Sequence, residues 1–383
     1  MRVLLIGGTG FIGPFISAEL ERLGHEVYLF HRARTHATPG PREIFGDRRR
    51  LADSATPLRA LAPDIVIDVI LSSGRQAREL MEVFAGDAGR VVALSSMDVY
   101  RACGLTHRLE EGPLEPLPLT ESSALRTKLQ TYPPAQVQML QQIFGWLDDE
   151  YDKIPVEREI LDGTLPATIL RLPMVYGPGD PLHRFHPIVK RIMDGRRVVP
   201  FSEKMAPWRA TKGYVENVAG AIALAAVSDR AAGRVYNVGE IDTLTELEWA
   251  QRIAAALGAH SAPASRGPQR AVVARWGGTE RSGAKGAPQA TEPGCGAEPH
   301  VNWSGEFALL PDDRVPPYLR APGNTDQHWV ADTTRLREEL GFQERVSRDE
   351  AIRRTVEWER AHPPSGFTPH QFDYAAEDAA IAS

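Results

Sequence analysis

Residues 2–13, RVLLIGGTGFIG, decide the fold of this 383-residue chain. A short apolar run leads into Gly7, Gly10 and Gly13, and a helix-favouring segment follows from Pro14. Glycines at this spacing between a strand and a helix allow a tight turn, a close approach of the backbone to a pyrophosphate, and close packing of helix on strand. The helix N-terminus adds N–H donors and a positive dipole for phosphate. The stretch therefore predicts a dinucleotide-binding loop.

Beyond this loop, apolar strand-like runs alternate with helical segments. We predict strands at 26–30, 64–71, 90–95 and 168–174, and helices at 14–23, 148–161 and 349–361. Runs that are apolar on both faces indicate a buried parallel sheet. Repeated strand-helix-strand units put helices on both faces of such a sheet. The prediction is an α/β fold with a doubly wound parallel sheet (Rossmann) and a smaller C-terminal substrate-binding lobe.

The predicted boundaries divide the chain into three parts. Residues 1–175 form the NAD(P)-binding Rossmann domain, 176–320 form the substrate-binding lobe, and 321–383 return to the first domain. Between about 260 and 300 the composition shifts to Ala, Gly, Pro, Ser and Arg, which predicts a mobile or poorly ordered insert. Prolines concentrated in 112–134 predict an irregular excursion over the surface.

Composition and charge exclude several classes of function. The net charge of −6 gives no reason to expect nucleic acid or an anionic membrane as a partner. No apolar run approaches the roughly 20 residues that span a bilayer. The two cysteines, Cys103 and Cys295, are far apart in sequence and fit a reducing, cytoplasmic location rather than a disulfide framework.

The residue after the second predicted strand bears on the choice of cofactor. An acidic residue there would bind a ribose 2′-hydroxyl and repel a 2′-phosphate, but the sequence has Arg32. A guanidinium pairs well with phosphate, so NADP is favoured over NAD. Asp47, at the end of a probable third strand, is a candidate to contact the adenine. The remaining predicted cofactor contacts of the loop are Thr9, Phe11 and Ile12.

Four stretches occur in an order that resembles a known family. They are GGTGFIG at 7–13, SSMDVY at 95–100, KIPVE at 153–157 and LRLPMVYGPGD at 170–180. Together they resemble the extended short-chain dehydrogenases/reductases, in the NAD-dependent epimerase/dehydratase branch, over about 1–260 and 325–360. The resemblance implies an oxidoreductase or isomerase that epimerises, dehydrates or reduces a small-molecule substrate. That substrate would be a sugar or a nucleotide sugar, and a homodimer is left open.

The resemblance also implies roles for individual residues. In that branch a Ser or Thr, a Tyr and a Lys carry the chemistry, and the Ser or Thr position falls on Ser96. Lys153 would hold the nicotinamide ribose and lower the pKa of the tyrosine. Asp98 falls where dehydratases carry an acid, although a loop cap is an equal reading. Pro173 would contact the cofactor.

The catalytic Tyr-x-x-x-Lys pattern is broken in this chain. Counting back from Lys153, the tyrosine position holds Asp149, whereas Tyr151 lies only two residues before the lysine. On a regular helix positions 149 and 153 share a face, and positions two apart do not. Either Asp149 acts as the base, or Tyr151 swings in from an unwound first turn, or Tyr132 arrives from the proline-rich excursion. The remaining reading is that the redox chemistry has been lost.

A final group of residues is predicted to bind substrate. These residues are Tyr176, His183, Trp208 and Arg209. His183 and His186 lie three apart, but no third ligand is evident, so no metal site is predicted. The rival to an enzyme is a non-catalytic dinucleotide-binding protein, either a redox sensor or an RNA-associated relative.

Overall fold

A computed structural model describes residues 1–32, 40, 42–130, 132–258, 303–364, 366 and 369–383. The strands are β1 (Arg2–Ile6), β2 (Glu26–His31), β3 (Glu43–Phe45), β4 (Ile65–Asp68), β5 (Arg90–Ser96), β6 (Ala167–Leu172), β7 (Met174–Tyr176), β8 (Val198–Ser202), β9 (Lys212–Tyr214), β10 (Arg234–Asn237) and β11 (Glu306–Leu310). The helices are α1 (Gly13–Arg22), α2 (Ala55–Ala60), α3 (Gly74–Phe84), α4 (Arg101–Thr106), α5 (Pro134–Ile143), α6 (Lys153–Leu161), α7 (His186–Met193), α8 (Val215–Val227), α9 (Glu246–Gly258), α10 (Thr334–Leu340), α11 (Arg348–Ala361) and α12 (Tyr374–Ala382). The insert predicted at about 260–300 lies outside the described residues.

Among the described residues, seven strands form one central sheet. Their order is β10-β6-β5-β4-β1-β2-β3, and every neighbouring pair is parallel. The chain winds outward in one direction from β1 to β3 and in the other from β4 to β10. In such sheets, ligands bind outside the carboxyl ends of the strands where the winding reverses. The prediction of a doubly wound parallel sheet is confirmed.

Alternation along β1 shows how the sheet is buried on both faces. Val3 and Leu5 join a core formed with α1 and α8, whereas Leu4 and Ile6 join a second core formed with α3 and α6. All four side chains are fully buried. Because successive side chains of a strand point to opposite faces, an all-apolar strand needs helices on both sides.

Two boundaries differ from the sequence prediction. The central sheet takes its last strand from β10, so it extends beyond the boundary predicted at residue 175. Helix α6 begins at Lys153 rather than at 148, because Asp152 is extended and its carboxylate accepts the Ile154 N–H at 2.8 Å as a helix cap.

The chain after residue 320 packs against the central sheet and against the separate β8–β11 pair. Helix α10 lies beside β10, where the Tyr236 hydroxyl donates to Glu339 at 2.8 Å, and α12 packs against β8 and β11. The two-stranded pairs β8–β11 and β7–β9 lie outside the central sheet. In the described part of the chain, no helix has the length and apolar character needed to cross a membrane.

Candidate functional site

The backbone conformation and packing of the loop after β1 require glycine at two positions, whether or not a ligand is bound. Gly7 has a φ of +85°, and a Cβ there would lie 2.7 Å from Ile70 Cγ2. A Cβ on Gly13 would lie 2.5 Å from the backbone of Gly8. The first glycine therefore permits the turn, and the second lets α1 start directly against the loop.

Gly10 differs, because there is space for a side chain beside it. A Cβ on Gly10 would have only an ordinary contact, 3.6 Å from Gly7 O, and the residue is exposed. Within the described residues, no side chain caps the N-terminus of α1, so its first N–H groups have no such partner. An exposed glycine beside an uncapped helix N-terminus fits a pyrophosphate. Thr9 is exposed, and Phe11 and Ile12 are half-buried in this loop.

Arg32 and Asp47 lie near each other at the carboxyl ends of β2 and β3. Arg32 Nη1 donates to the Gly145 carbonyl at 3.3 Å. Asp47 accepts the Arg49 backbone N–H at 3.0 Å and its guanidinium at 2.8 Å. The hydrogen bond from Arg49 lowers the pKa of Asp47, and the charge of Arg32 lowers it further. Both predicted cofactor contacts therefore share one edge of the sheet.

A cavity of about 270 Å³ opens beyond the carboxyl ends of β5 and β6. It is lined by Ser96, Met97, Asp98, Tyr132, Leu140, Phe144, Trp146, Leu147, Tyr151, Leu172, Pro173, Met174, Leu182, Arg184, Thr211 and Trp329. Five residues proposed from the sequence thus meet here, namely Ser96, Asp98, Tyr132, Tyr151 and Pro173.

Asp98 is the polar centre of this cavity. Its side chain is buried, and its Oδ2 lies 3.3 Å from the Tyr151 hydroxyl and 3.5 Å from the Tyr132 hydroxyl. Its Oδ1 has no hydrogen-bond partner in the part of the chain that the structure describes. Burial raises the pKa of Asp98, although the charges of Arg126 and Lys153 oppose this effect. Ser96 fixes the turn, since its Oγ accepts the Asp98 N–H at 3.2 Å.

The two tyrosines stand side by side, with ring centroids 5.9 Å apart. Loss of water raises the pKa of both phenols well above the usual value, and the Asp98 carboxylate raises them further. The resemblance implied a tyrosine whose pKa is lowered by the lysine, and the structure shows the opposite shift. Both phenols therefore remain protonated at neutral pH and act as hydrogen-bond donors to Asp98.

Lys153 is the first residue of α6 and is buried under the ends of β4 and β5. Its Nζ donates to the carbonyls of Leu71 and Leu94, the latter at 3.1 Å, and lies 5.9 Å from the centroid of the Tyr151 ring. Burial lowers the pKa of Lys153 to about 8, against the pull of Asp98. The ammonium is thus held close to Tyr151 and Asp98 at the sheet edge.

A buried network fixes α6 on the sheet and so fixes Lys153. The Glu157 carboxylate accepts a hydrogen bond from the Ser95 hydroxyl at 2.5 Å. It also accepts hydrogen bonds from Nε and Nη2 of Arg171, at 2.9 and 2.7 Å. Arg171 also donates to the Tyr100 hydroxyl, which in turn donates to Asn237. The network joins α6 to β5, β6 and β10. A buried charge pair of this kind is tolerated because its remaining polar atoms are also hydrogen-bonded.

Arg126 holds the proline-rich excursion over the site. Its Nε donates to the Asp98 carbonyl at 2.5 Å, and its Nη2 donates to Asp152 at 3.1 Å. Asp152 also accepts the Gln130 N–H at 2.6 Å. Arg126 and Gln130 are therefore both fixed to residues of the site. Tyr132, two residues further on, has its hydroxyl 3.5 Å from Asp98 Oδ2.

The structure does not bring Asp149 to this site, which corrects the role given to it from the sequence. Asp149 is exposed, and its Oδ1 accepts Gln141 Nε2 at 2.8 Å. The prediction assumed a helix running through 149 and 153. Since α6 begins at Lys153, Asp149 does not share a helical face with the lysine.

Two predicted substrate contacts lie elsewhere and are also corrected. Tyr176 is fully buried, and its hydroxyl donates to Glu240 at 2.8 Å, so it belongs to the core. His183 does not line the cavity, because its ring stacks on Trp358 and its Nδ1 lies 2.7 Å from Glu359. The described residues contain no group of three His, Cys, Asp or Glu arranged to hold a metal.

Trp208 and Arg209 stand behind or outside the cavity wall. The Trp208 indole N–H donates to the Gln327 carbonyl at 2.9 Å, and its buried ring lies 5.4 Å from Trp329, which lines the cavity instead. Arg209 is exposed, and its backbone bridges to Thr245. The sequence pattern therefore predicts Trp208, which lies behind the cavity wall, instead of Trp329, which is part of the wall.

Sequence reasoning missed several wall residues. Trp146 and Phe144 stand next to a glutamine-rich helix, and that unusual aromatic pair was an available signal. The sequence pattern predicts His183 and not its neighbour Arg184, which lines the cavity. The Arg184 guanidinium donates to Asp180 at 2.6 Å and to the Val175 carbonyl at 2.9 Å. No local pattern marks Trp329, which lies 118 residues after Thr211, the nearest preceding wall residue in the sequence.

A comparison with protein families shows to which family the chain belongs. Residues 3–239 match the model of the NAD dependent epimerase/dehydratase family. The chain belongs to this family. The resemblance inferred from the four sequence stretches is confirmed, and NAD(P) is the cofactor that the family uses.

Known members of the epimerase/dehydratase family share only part of their sequence with this chain. A 3-diazoavenalumate denitrifying reductase from Streptomyces sp is 25% identical over 280 residues, which are 70% of this chain and 86% of the relative. The dTDP-6-deoxy-L-talose 4-dehydrogenase (NAD(P)(+)) of Kitasatospora kifunensis is 29% identical over 254 residues, 62% of this chain and 73% of the relative. The structure of Bordetella bronchiseptica WbmG in complex with NAD and UDP superposes with a TM-score of 0.61 at 13% identity, covering 94% of this chain and 96% of that chain. The structural match shows the fold, and the family supports an oxidoreductase-type enzyme.

Proposed function

We propose that this epimerase/dehydratase family member is an NAD(P)-dependent oxidoreductase that exchanges a proton with one substrate oxygen through Asp98. The observation that carries the proposal is the buried Oδ1 of Asp98, a residue of the cavity wall, because this oxygen has no partner among the described residues. Buried polar atoms are nearly always hydrogen-bonded, so an unpaired one at a cavity wall is suited to a ligand hydroxyl or carbonyl.

The glycine loop and the neighbouring sheet edge support a dinucleotide site. A bound nicotinamide dinucleotide supplies or accepts a hydride. Gly10 and the N-terminus of α1 would hold its pyrophosphate, and Lys153 would hold the nicotinamide ribose. Arg32 would pair with a 2′-phosphate, which favours NADP, and Asp47 would contact the adenine.

Asp98 has the properties required to move the proton. Because its pKa is raised, its carboxyl stays protonated to a higher pH than that of an exposed aspartate, and the protonated form can protonate a carbonyl oxygen. In the reverse direction the carboxylate accepts the proton of a hydroxyl. The phenols of Tyr151 and Tyr132 donate toward Oδ2 and stabilise the carboxylate after the proton has left. Reduction, epimerisation and dehydration at a sugar-like carbon can all begin from this exchange.

Two classes of substrate are supported by different observations. Similarity to a dTDP-6-deoxy-L-talose 4-dehydrogenase and to a structure that binds UDP supports a sugar or nucleotide sugar. The largely aromatic residues that line the cavity support an apolar substrate. The proton exchange through Asp98 is common to both.

Four variants test the proposal. Single-turnover oxidation of bound NADPH should be followed with a panel of aryl aldehydes, ketones and nucleotide keto-sugars. Asp98→Asn should lower the rate by about 10²–10⁴-fold, the usual contribution of general acid–base catalysis. Tyr151→Phe and Tyr132→Phe should lower it less, because each removes one donor to Asp98. Asp149→Asn is the matched control and should leave the rate unchanged.

Two results would contradict the proposal. One is a full rate in Asp98→Asn, which would assign the proton to another group. The other is tight NADPH binding by the wild type with no carbonyl reduced, which would favour the non-catalytic redox sensor.

A further inference from the structure

Several polar side chains around the cavity already have partners within the protein. Thr211 Oγ1 accepts the Ala331 N–H at 2.9 Å and lies 3.1 Å from Thr243 Oγ1. The guanidinium of Arg184, the only cation among the described lining residues, donates to Asp180 at 2.6 Å. Together with the phenols bonded to Asp98, these groups leave Asp98 Oδ1 as the unpaired acceptor on the wall.

The rest of the wall is apolar and largely aromatic. The segment that follows α5 contributes Phe144 and Trp146, whose ring centroids lie 5.7 Å apart. Trp329 adds a third ring, and because its indole N–H donates to Thr106 at 2.8 Å, its remaining surface is apolar. Leu172 and Met174 complete this apolar surface at the ends of β6 and β7. Aromatic walls favour flat ligands through stacked and edge-to-face contacts.

A sugar ring would be poorly matched to such a wall. Apart from one hydroxyl that could donate to Asp98, its hydroxyls would lose water against apolar side chains, and unpaired buried polar groups cost about 1–3 kcal/mol apiece. A nucleotide sugar also brings a diphosphate, whereas the charge of Arg184 is already balanced by Asp180. The cavity of about 270 Å³ is also small, since sites for drug-sized ligands run to roughly 300–1,000 Å³.

We infer that the substrate group bound beside Asp98 is flat and apolar, an aryl or conjugated carbonyl compound, with its carbonyl oxygen at Asp98 and its ring against Trp146 and Trp329. This inference rests on the proposed function, because it takes Asp98 as the point where the oxygen binds. It assigns Trp146 and Trp329 to substrate selection.

Binding is measured separately from turnover, using the chain saturated with NADP. Benzaldehyde is the probe, observed by saturation-transfer NMR, with cyclohexanecarboxaldehyde as the non-flat control and UDP-glucose as competitor. The benzaldehyde ring protons should receive saturation, and the cyclohexane analogue should bind several-fold more weakly. UDP-glucose should not displace benzaldehyde.

A pair of variants from one segment locates the binding. Trp146→Ala should raise the dissociation constant of benzaldehyde about tenfold, in line with the aromatic contact that is lost. Met139→Ala is the matched control, because Met139 is 50% exposed and lies on α5 away from the cavity wall. It should leave the dissociation constant unchanged.

The outcomes separate this inference from the proposed function. Displacement by UDP-glucose, no saturation of benzaldehyde, or an equal effect of the two variants would overturn the flat apolar substrate class while leaving the role of Asp98 intact. If benzaldehyde binds as expected but Asp98→Asn reduces it at the wild-type rate, the substrate class stands and the proposed proton transfer fails.

Discussion

At the scale of single residues, Asp98 is placed where function and stability oppose each other. It is buried with one oxygen unpaired, and burial raises its pKa despite the nearby charges of Arg126 and Lys153. A protein that needed only stability would have a neutral or fully paired side chain at this position. A group whose pKa is shifted by burial and that lies in a cavity marks a functional site.

The shift has a measurable consequence for stability. Because the pKa of Asp98 is raised on folding, its stabilising contribution is complete below its unfolded value near 4 and is lost as pH rises through the folded value. Asp98→Asn should therefore raise the free energy of unfolding at about pH 8, by roughly 1.4 kcal/mol for each unit of the shift, and change it less at about pH 4. Urea unfolding of both proteins at the two pH values provides the measurement. Equal or lower stability of the variant at alkaline pH would refute the argument.

Arg32 carries the prediction about cofactor choice. Its guanidinium lies near Asp47 and donates to the Gly145 carbonyl, at the edge where a ribose would bind. The wild type should bind NADP more tightly than NAD, and Arg32→Ala should remove a preference worth about 1–3 kcal/mol, as for other hydrogen bonds to charged groups. Titration calorimetry with both dinucleotides measures this directly. Equal wild-type affinities would assign Arg32 to holding the Gly145 segment only.

At the scale of elements, local sequence patterns predict the central residues of strands and helices but not all their ends. The alternating burial of β1 follows from its apolar residues, and the glycine loop follows from its spacing. The sequence pattern predicts that the helix starts at residue 148, whereas α6 begins five residues later at Lys153, because residues 148–152 are not helical. The extended conformation of Asp152, fixed by the distant Arg126 and Gln130, decides that boundary.

The glycine loop allows a matched test of fold against binding. Gly13→Ala puts a Cβ about 2.5 Å from the backbone of Gly8, so the variant should lose about 1–3 kcal/mol of stability, as overpacked sites do. Gly10→Ala meets only Gly7 O at 3.6 Å, so it should keep its stability. It should still lose about tenfold in dinucleotide affinity, because the methyl group occupies the path of the phosphate. Thermal unfolding and calorimetry report the two effects, and an unchanged affinity in Gly10→Ala would remove this loop as the binding site.

At the scale of the whole molecule, the central sheet was predictable and the cavity was not. Buried apolar runs and the glycine loop specify a doubly wound sheet without reference to distant contacts. The cavity is assembled from Asp98, Tyr132, Trp146, Arg184 and Trp329, which come from separate parts of the chain. The family pattern points to Asp98, and Tyr132 is a candidate because the Tyr-x-x-x-Lys pattern is broken and the proline-rich excursion could deliver another tyrosine. Sequence reasoning missed the other three because only the tertiary fold brings them together.

At this scale the central claim is that Asp98, rather than the residue at the Tyr-x-x-x-Lys position, exchanges the proton with the substrate oxygen. A crystal structure of the chain with bound NADP tests it most directly. The result we predict is a pyrophosphate at Gly10, a nicotinamide with its C4 turned toward Asp98, and Asp149 still on the surface beside Gln141. A nicotinamide whose C4 faces Asp149, or a dinucleotide bound away from the glycine loop, would contradict the account.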